Sequence, residues 1–304
     1  LEKYGQWPWS RASISDIIWQ LREAGAGIIV LPMLFSEDDR LGGDSYLQDA
    51  LTDNGVVIAQ TGSIGVNKNA VPRGVAMIGD PLPWLFEWPG MLGPIPKLGT
   101  VADGVGVINT APEIDGVVRR VPLIVKVGTE TYPNLAIEVI RVATGKPSYQ
   151  IKANDGGIEK VRVPGYPIIS TDPNGQIWIR WNKKFEEVSA SNSGDFYKLS
   201  GKVVIVGVTA EGIGGIIASP KGSQYNYLPA ATTLQNLLDG DQIQRPFWAS
   251  LAETIGTLVV GVTIIALAFL APYWAIGIGI VAIGWSGTWR QFFNGLIILL
   301  ALLG

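Results

Sequence analysis

With no histidine and no cysteine, this chain is left with carboxylates, basic side chains, hydroxyls and aromatics for chemistry. That removes a Ser-His-Asp triad, an imidazole base, thiol nucleophiles, disulfides and the usual zinc ligand sets. Asp and Glu remain for acid/base work, but no pair recommends itself as the centre of a carboxylate-dependent hydrolase. Glu37-Asp38-Asp39 offers clustered oxygens to a hard cation, yet it lacks the spaced ligands and the glycine of a calcium loop and reads better as a solvated turn. Trp7-Pro8-Trp9 places two flat side chains around a rigid residue, either as an aromatic wall for a ligand or, the favoured reading, as a lid over a sheet edge.

In the stretch that begins at Val117, Arg119 falls in phase with Val117, Val121, Leu123 and Val125, which puts a guanidinium on an otherwise apolar face. Such a charge requires a partner. Either a carboxylate such as Asp115 bridges it structurally, the favoured reading, or it waits as a bidentate clamp for an anionic ligand. Pro122 can shift the phase of this strand. Thr209 lies in the glycine-rich run 207–215, which follows a buried strand but lacks the Gly-Lys-Ser or Gly-Lys-Thr of a phosphate loop and the Rossmann spacing. A tight turn with closely approaching backbones is the better account, although the carboxyl ends of strands are where α/β sheets tend to bind ligands.

These side chains need a frame, and hydrophobic periodicity supplies one. Residues 13–24 carry Ile14, Ile17, Ile18 and Leu21 at helical spacing behind a Ser13/Asp16 capping box. Further helices are expected at 45–51, at 132–143 with Pro133 in the first turn and Gly145 at the end, and at 229–238. The β-branched runs 28–31, 56–59 and 202–206 read as strands buried on both faces. Residues 105–109 and 117–127 read as two strands joined by a turn at Asp115-Gly116, and 158–163 and 176–181 as further strands. Residues 62–104, rich in Gly, Pro and Trp, read as loops and short helices. The order predicts an α/β fold with a mixed, largely parallel sheet and helices on both faces over residues 1–245.

The rest of the chain has a different character. Of 304 residues 47% are apolar, and mean hydropathy is positive at +0.28. The excess concentrates in 251–270, whose one charged residue is Glu253. About 20 residues in helix span roughly 30 Å, the hydrocarbon thickness. Residues 273–289, with Gly277, Gly279 and Gly284, suit a returning helix that packs closely in lipid. Residues 291–304 begin a third span that is cut short, and both ends of the chain read as truncated. Trp248, Tyr273, Trp274, Trp285 and Trp289 stand near the expected interfaces. Residues 246–304 are thus expected to be transmembrane helices, the bland rival being a hydrophobic hairpin buried in a soluble protein. Arg245 and Arg290 fall on one side of that bilayer and argue weakly for its being the cytoplasmic one. The 23 basic residues are scattered and the net charge is −3, so nothing here addresses nucleic acid.

The sequence also resembles a known family. Tyr4-Gly5-Gln6-Trp7-Pro8-Trp9-Ser10-Arg11, Phe35-Ser36-Glu37, Asp115-Gly116-Val117-Val118-Arg119-Arg120-Val121-Pro122-Leu123 and Tyr132-Pro133-Asn134-Leu135-Ala136 match, in order and spacing, the second type of CHASE domain, the cyclase- and histidine-kinase-associated sensory extracellular domain. Gly207-Val208-Thr209-Ala210 and the helix before Arg245-Pro246 continue the match. Two departures stand out: the usual preceding membrane anchor is absent, and Trp178-Ile179-Arg180-Trp181-Asn182 replaces a strand that is often tyrosine-centred, which bears on any ligand site.

The resemblance implies a bacterial receptor input domain outside the cytoplasmic membrane, followed by three spanning helices and a cytoplasmic cyclase, kinase or similar output. Trp7, Trp9, Arg11, Glu37, Asp115, Arg119, Arg120 and Thr209 are the candidate ligand or structural cleft, and no catalytic residue, metal or cofactor is expected. Lipid bilayer, a homodimer or larger membrane complex and an unidentified small molecule are the expected partners. A non-catalytic accessory subunit of a membrane assembly is the alternative.

Overall fold

In a computed structural model of the chain, residues 7–110, 112–210, 215–241, 243 and 248–270 are described. The chain divides into two units, Leu1–Gln244 and Arg245–Gly304. The first helix, α1 (Arg11–Glu23), begins at Ser10, whose hydroxyl accepts the Ser13 N–H at 3.2 Å. The cap is therefore Ser10 and not the expected Ser13/Asp16 box, and Ser13 lies inside the helix. Ile14, Ile17, Ile18 and Leu21 form its buried stripe.

There follow β1 (Ile28–Leu31), α2 (Asp44–Leu51), β2 (Val56–Ser63), β3 (Val75–Ile78), β4 (Phe86–Glu87), β5 (Gly90–Leu92), α3 (Pro96–Gly99) and β6 (Gly104–Val107). Next come β7 (Arg120–Pro122), β8 (Ile124–Val127), β9 (Glu130–Pro133), α4 (Leu135–Thr144), β10 (Tyr149–Asn154), β11 (Gly157–Arg162), β12 (Ile169–Ser170) and β13 (Gln176–Trp178). The unit closes with β14 (Val203–Ile205), β15 (Ile216–Ser219), β16 (Gly222–Tyr225) and α5 (Leu228–Leu238).

The expected largely parallel sheet is present: β14, β1, β2 and β6 lie side by side and parallel, with Ile28 opposite Val203, Ile29 opposite Val56 and Val57 opposite Gly104. One antiparallel neighbour, β5, pairs with the far end of β2, where Thr61 faces Leu92. Alternation along β1 and β2 sends Ile29, Leu31, Val56 and Ile58 into a core shared with α1 and α2, and Val30 and Val57 into one shared with α4 and α5. Successive strand residues point to opposite faces, so β-branched runs without polar interruption require cover on both. A second sheet, β12-β11-β10-β3, contributes Tyr149, Ile151 and Val161 to the α4 core.

The middle of the chain departs from expectation. Residues 105–109 and 117–127 do not form a hairpin, since β6 pairs with β2 while β7 pairs antiparallel with β13, Val121 opposite Ile177. The expected long strand also breaks at Leu123, whose N–H goes to Gly175 O at 3.0 Å and whose carbonyl accepts the Asn134 N–H at 2.8 Å. Beyond the break β8 pairs with β9. Pro133 ends β9 and is not in a helix; Asn134 caps α4 instead, its side chain accepting the Ala136 N–H at 2.9 Å. At the other end Gly145, at φ 62°, provides the left-handed residue that terminates α4.

In the second unit α6 (Ala249–Leu270) runs for 22 residues and covers the first expected span. Leu251, Ile255, Leu258, Val262, Ile265 and Phe269 along it are exposed. Among the described residues no helix is long and apolar enough to cross a membrane. The expected helices 273–289 and 291–304 lie outside the described residues.

Candidate functional site

The residues singled out by sequence sort into three places. Trp7 and Trp9 meet edge to face with ring centres 5.6 Å apart, and Trp9 packs on the core of α1 and α2. Arg11, buried at the start of α1, donates to the Asp44 carboxylate and to the Glu37 carbonyl, and its guanidinium lies 5.4 Å from the Phe35 ring centre. Glu37 thus enters through its backbone. Its neighbour Asp39 accepts the backbone N–H groups of Arg11 at 3.1 Å, Gly43 at 3.0 Å and Leu41 at 3.2 Å. Burial raises the Asp39 pKa, but those three donors and the Arg11 charge outweigh it and leave the group below its ordinary value. The acidic turn is the clasp that joins α1 to α2, and no group of residues that could hold a metal ion occurs among the described residues.

Asp115, Arg119 and Arg120 form a second group, and they are paired with carboxylates. Arg119 clamps Asp115 through two bonds of 2.9 and 2.7 Å. Arg120 clamps Glu113 at 2.7 and 3.0 Å, reaches Asp172 at 3.2 Å and sits 5.2 Å from the centre of the Trp178 ring. Arg119 does not lie on an apolar face: Val118 and Val121 are buried while the Arg119 side chain remains 35% exposed, so the strand's phase differs from the simple alternation. Hydrogen bonding to Arg119 holds the Asp115 carboxyl at about 2. Beside Arg119 a shallow cleft of about 420 Å³ includes Lys221 and, from the segment that departs from the resemblance, Trp178, Arg180 and Trp181. Arg180 in turn pairs with Asp241 at 2.8 Å. Thr209 stands apart from both groups, exposed in the loop after β14. In that loop Gly207 lies so close to the Tyr227 ring that a Cβ would fall 2.5 Å from it, which fits the expected tight approach.

A third site, which sequence reading missed, is built on α4. Glu138 is completely buried between α4 and β6, in space left by a glycine: a Cβ on Gly104 would fall 2.8 Å from Glu138 Cγ. Its Oε1 accepts Arg141 Nη2 at 2.9 Å and the Val105 N–H at 3.2 Å; its Oε2 accepts Arg141 Nε at 2.9 Å and the Tyr149 hydroxyl. Arg141 also donates to the carbonyls of Lys146 at 2.8 Å and Asp103 at 2.6 Å. Arg73 Nε approaches Glu138 Oε1 at 3.3 Å without making a hydrogen bond. Arg73 and Arg141 line a cleft of about 580 Å³ with Asn69, Val71, Pro94 and Thr100. One signal of this site was present in the sequence, the i, i+3 pair of opposite charges inside the otherwise apolar run Leu135-Ala136-Ile137-Glu138-Val139-Ile140-Arg141. Nothing local marks Arg73.

A family model described as the CHASE2 domain matches residues 1–270, most of the chain. The chain belongs to the CHASE2 domain family. This bears out the resemblance seen in the motifs, and CHASE2 domains are sensory, non-catalytic extracellular domains of signalling receptors. No curated protein and no solved structure matches the chain. Within this CHASE2 domain the arginines of the Asp115-Gly116 motif are engaged by carboxylates, as are Arg11 and Arg180. The cleft beside α4 differs in that Arg73, which lines it, is ion-paired with Glu138 at 3.3 Å without a hydrogen bond to it.

Proposed function

We infer that the chain is the periplasmic or external sensory part of a bacterial receptor held in the cytoplasmic membrane. A signal received by the domain passes through transmembrane helices to a cytoplasmic output. The family match over residues 1–270 carries this reading, since it includes both the α/β unit and α6. One feature supports the membrane connection, the apolar surface of α6. Leu251, Leu258, Val262 and Phe269 on it are each more than 60% exposed, a surface that water disfavours and lipid does not.

The natural absence of cysteine provides the test. Ile114, in the turn before Asp115, is fully exposed. An Ile114→Cys variant of the chain, expressed in intact cells, is expected to react with a membrane-impermeant maleimide while the cysteine-free parent stays unlabelled. Labelling that appears only after lysis would place the domain inside the cell and end this reading.

A further inference from the structure

We propose that the cleft beside α4 binds a small organic carboxylate, with Arg73 as the residue that clamps it. The argument begins with a count of donors and acceptors. A carboxylate offers about four lone-pair sites, and Glu138 has used its four on Arg141 twice, Val105 and Tyr149. Arg73 therefore meets the buried carboxylate as an ion pair and not through a hydrogen bond. Its Nε is buried against Glu138 without a hydrogen bond, so a ligand would be met by the rest of the guanidinium, on a side chain that keeps 28% of its surface exposed. A guanidinium carries five N–H donors and cannot shed its charge. Its one ion-pair contact is the 3.3 Å approach to Glu138.

The segment bearing Arg73 is nonetheless held firmly. Its backbone N–H donates to Thr131 O at 3.0 Å, and its carbonyl accepts the Thr131 hydroxyl at 3.0 Å, so both peptide groups are pinned to β9. A clamp that is fixed in place and short of acceptors is preorganised for an anion.

Size and charge narrow the ligand. About 580 Å³ suits a small molecule. Val71, Pro72, Pro94 and Ala102 in the lining favour an apolar body, while Asn69 and Thr100 add polar positions. Asp103, also in the lining, accepts the Val56 N–H on Oδ2 at 3.0 Å and adds a second carboxylate to the site. With Glu138 and Asp103 both nearby, one added negative charge is tolerable and two are costly, which favours a carboxylate over a phosphate dianion. That such a compound is the signal rests on the sensory reading above; that it binds does not.

The test is calorimetric titration of the intact chain in mild detergent with benzoate and isovalerate, their neutral amides, and inorganic phosphate. At least one carboxylate is expected to bind saturably and its amide not. Arg73→Met is expected to fold with an unchanged melting temperature and to weaken binding at least about tenfold, the value of one charge-assisted hydrogen bond. Arg73→Lys should fall between. Thr100→Glu, an exposed change that adds repulsion, should weaken binding with Arg73 intact. Carboxylates no tighter than their amides, phosphate tighter than both, or binding unchanged in Thr100→Glu would each overturn the proposal. A large loss of stability in Arg73→Met would instead make Arg73 a structural counter-charge. None of these outcomes depends on where the domain resides, so they stand apart from the maleimide test.

Discussion

Replacing Glu138 by Gln retains shape and one oxygen while removing the charge from the middle of the α4 network. Glu138 is fully buried, and the Arg141 side chain beside it is 10% exposed. Removing one partner from a buried ion pair leaves the other uncompensated and costs roughly 3–5 kcal/mol. Arg141 keeps the carbonyls of Lys146 and Asp103, so the lower end applies, about 3 kcal/mol. With a urea dependence of about 2.5 kcal/mol per molar, the unfolding midpoint should fall by about 1.2 M. Tryptophan fluorescence of the intact chain in detergent provides the readout, with 11 tryptophans as reporters. Removing both charges in a Glu138→Leu, Arg141→Met double variant should cost less than the two single changes added together, because neither charge is then stranded. A Glu138→Gln midpoint within about 0.5 kcal/mol of the parent, the range of ordinary surface changes, would mean that water reaches the network and that the donor count built on it is wrong.

Gly106→Ala would place a Cβ 2.4 Å from Leu135 Cα, a backbone atom that yields only if α4 shifts. Overpacking of this kind costs about 1–3 kcal/mol, visible as a lowered melting temperature, whereas Gly74→Ala, with open space around it, should leave the melting temperature unchanged. At Asp115 the folded pKa of about 2 lies below the ordinary 3.8. The stabilisation it brings is therefore complete above 3.8 and disappears as pH falls through about 2. A carboxyl NMR titration of Asp115 should show a midpoint near the lower value, and Arg119→Gln should return it toward 3.8; a midpoint near 3.8 in the parent would refute the clamp.

How much of this was readable beforehand depended on sequence distance. The strands that became β1, β2 and β14 announced themselves through unbroken β-branched runs, since burial on both faces leaves no polar position to disguise them. Asp115 and Arg119 were readable as a pair because four residues separate them. The supposed hairpin around them failed because the partners of β6 and β7 come from β2 and β13, and turn chemistry at Asp115-Gly116 says nothing about distant pairing. The starts of α1 and α4 were each misplaced by a few residues. In each case a polar side chain just outside the apolar stripe, Ser10 or Asn134, took the N–H that the pattern alone could not assign.

The α4 network is the limiting case. Glu138 is sustained by donors from α4, β6 and β10, while Arg73 arrives from the segment before β3, so no window of the sequence contains the constellation. Beside the Glu138/Arg141 charge pair a second local trace is indirect: β6 reads Gly104-Val105-Gly106, and alternate glycines in a buried strand mean that something large approaches one face. That something is α4, with Glu138 over Gly104 and Leu135 over Gly106. The strand thus positions the carboxylate by omission of side chains. The carboxylate is then filled by Arg141, Val105 and Tyr149, and Arg73, which lines the cleft, is left with an ion-pair contact to it and no hydrogen bond. A single physical requirement, that a buried charge be fully satisfied, accounts both for the dense donor set around Glu138 and for the Arg73 contact that remains an ion pair alone.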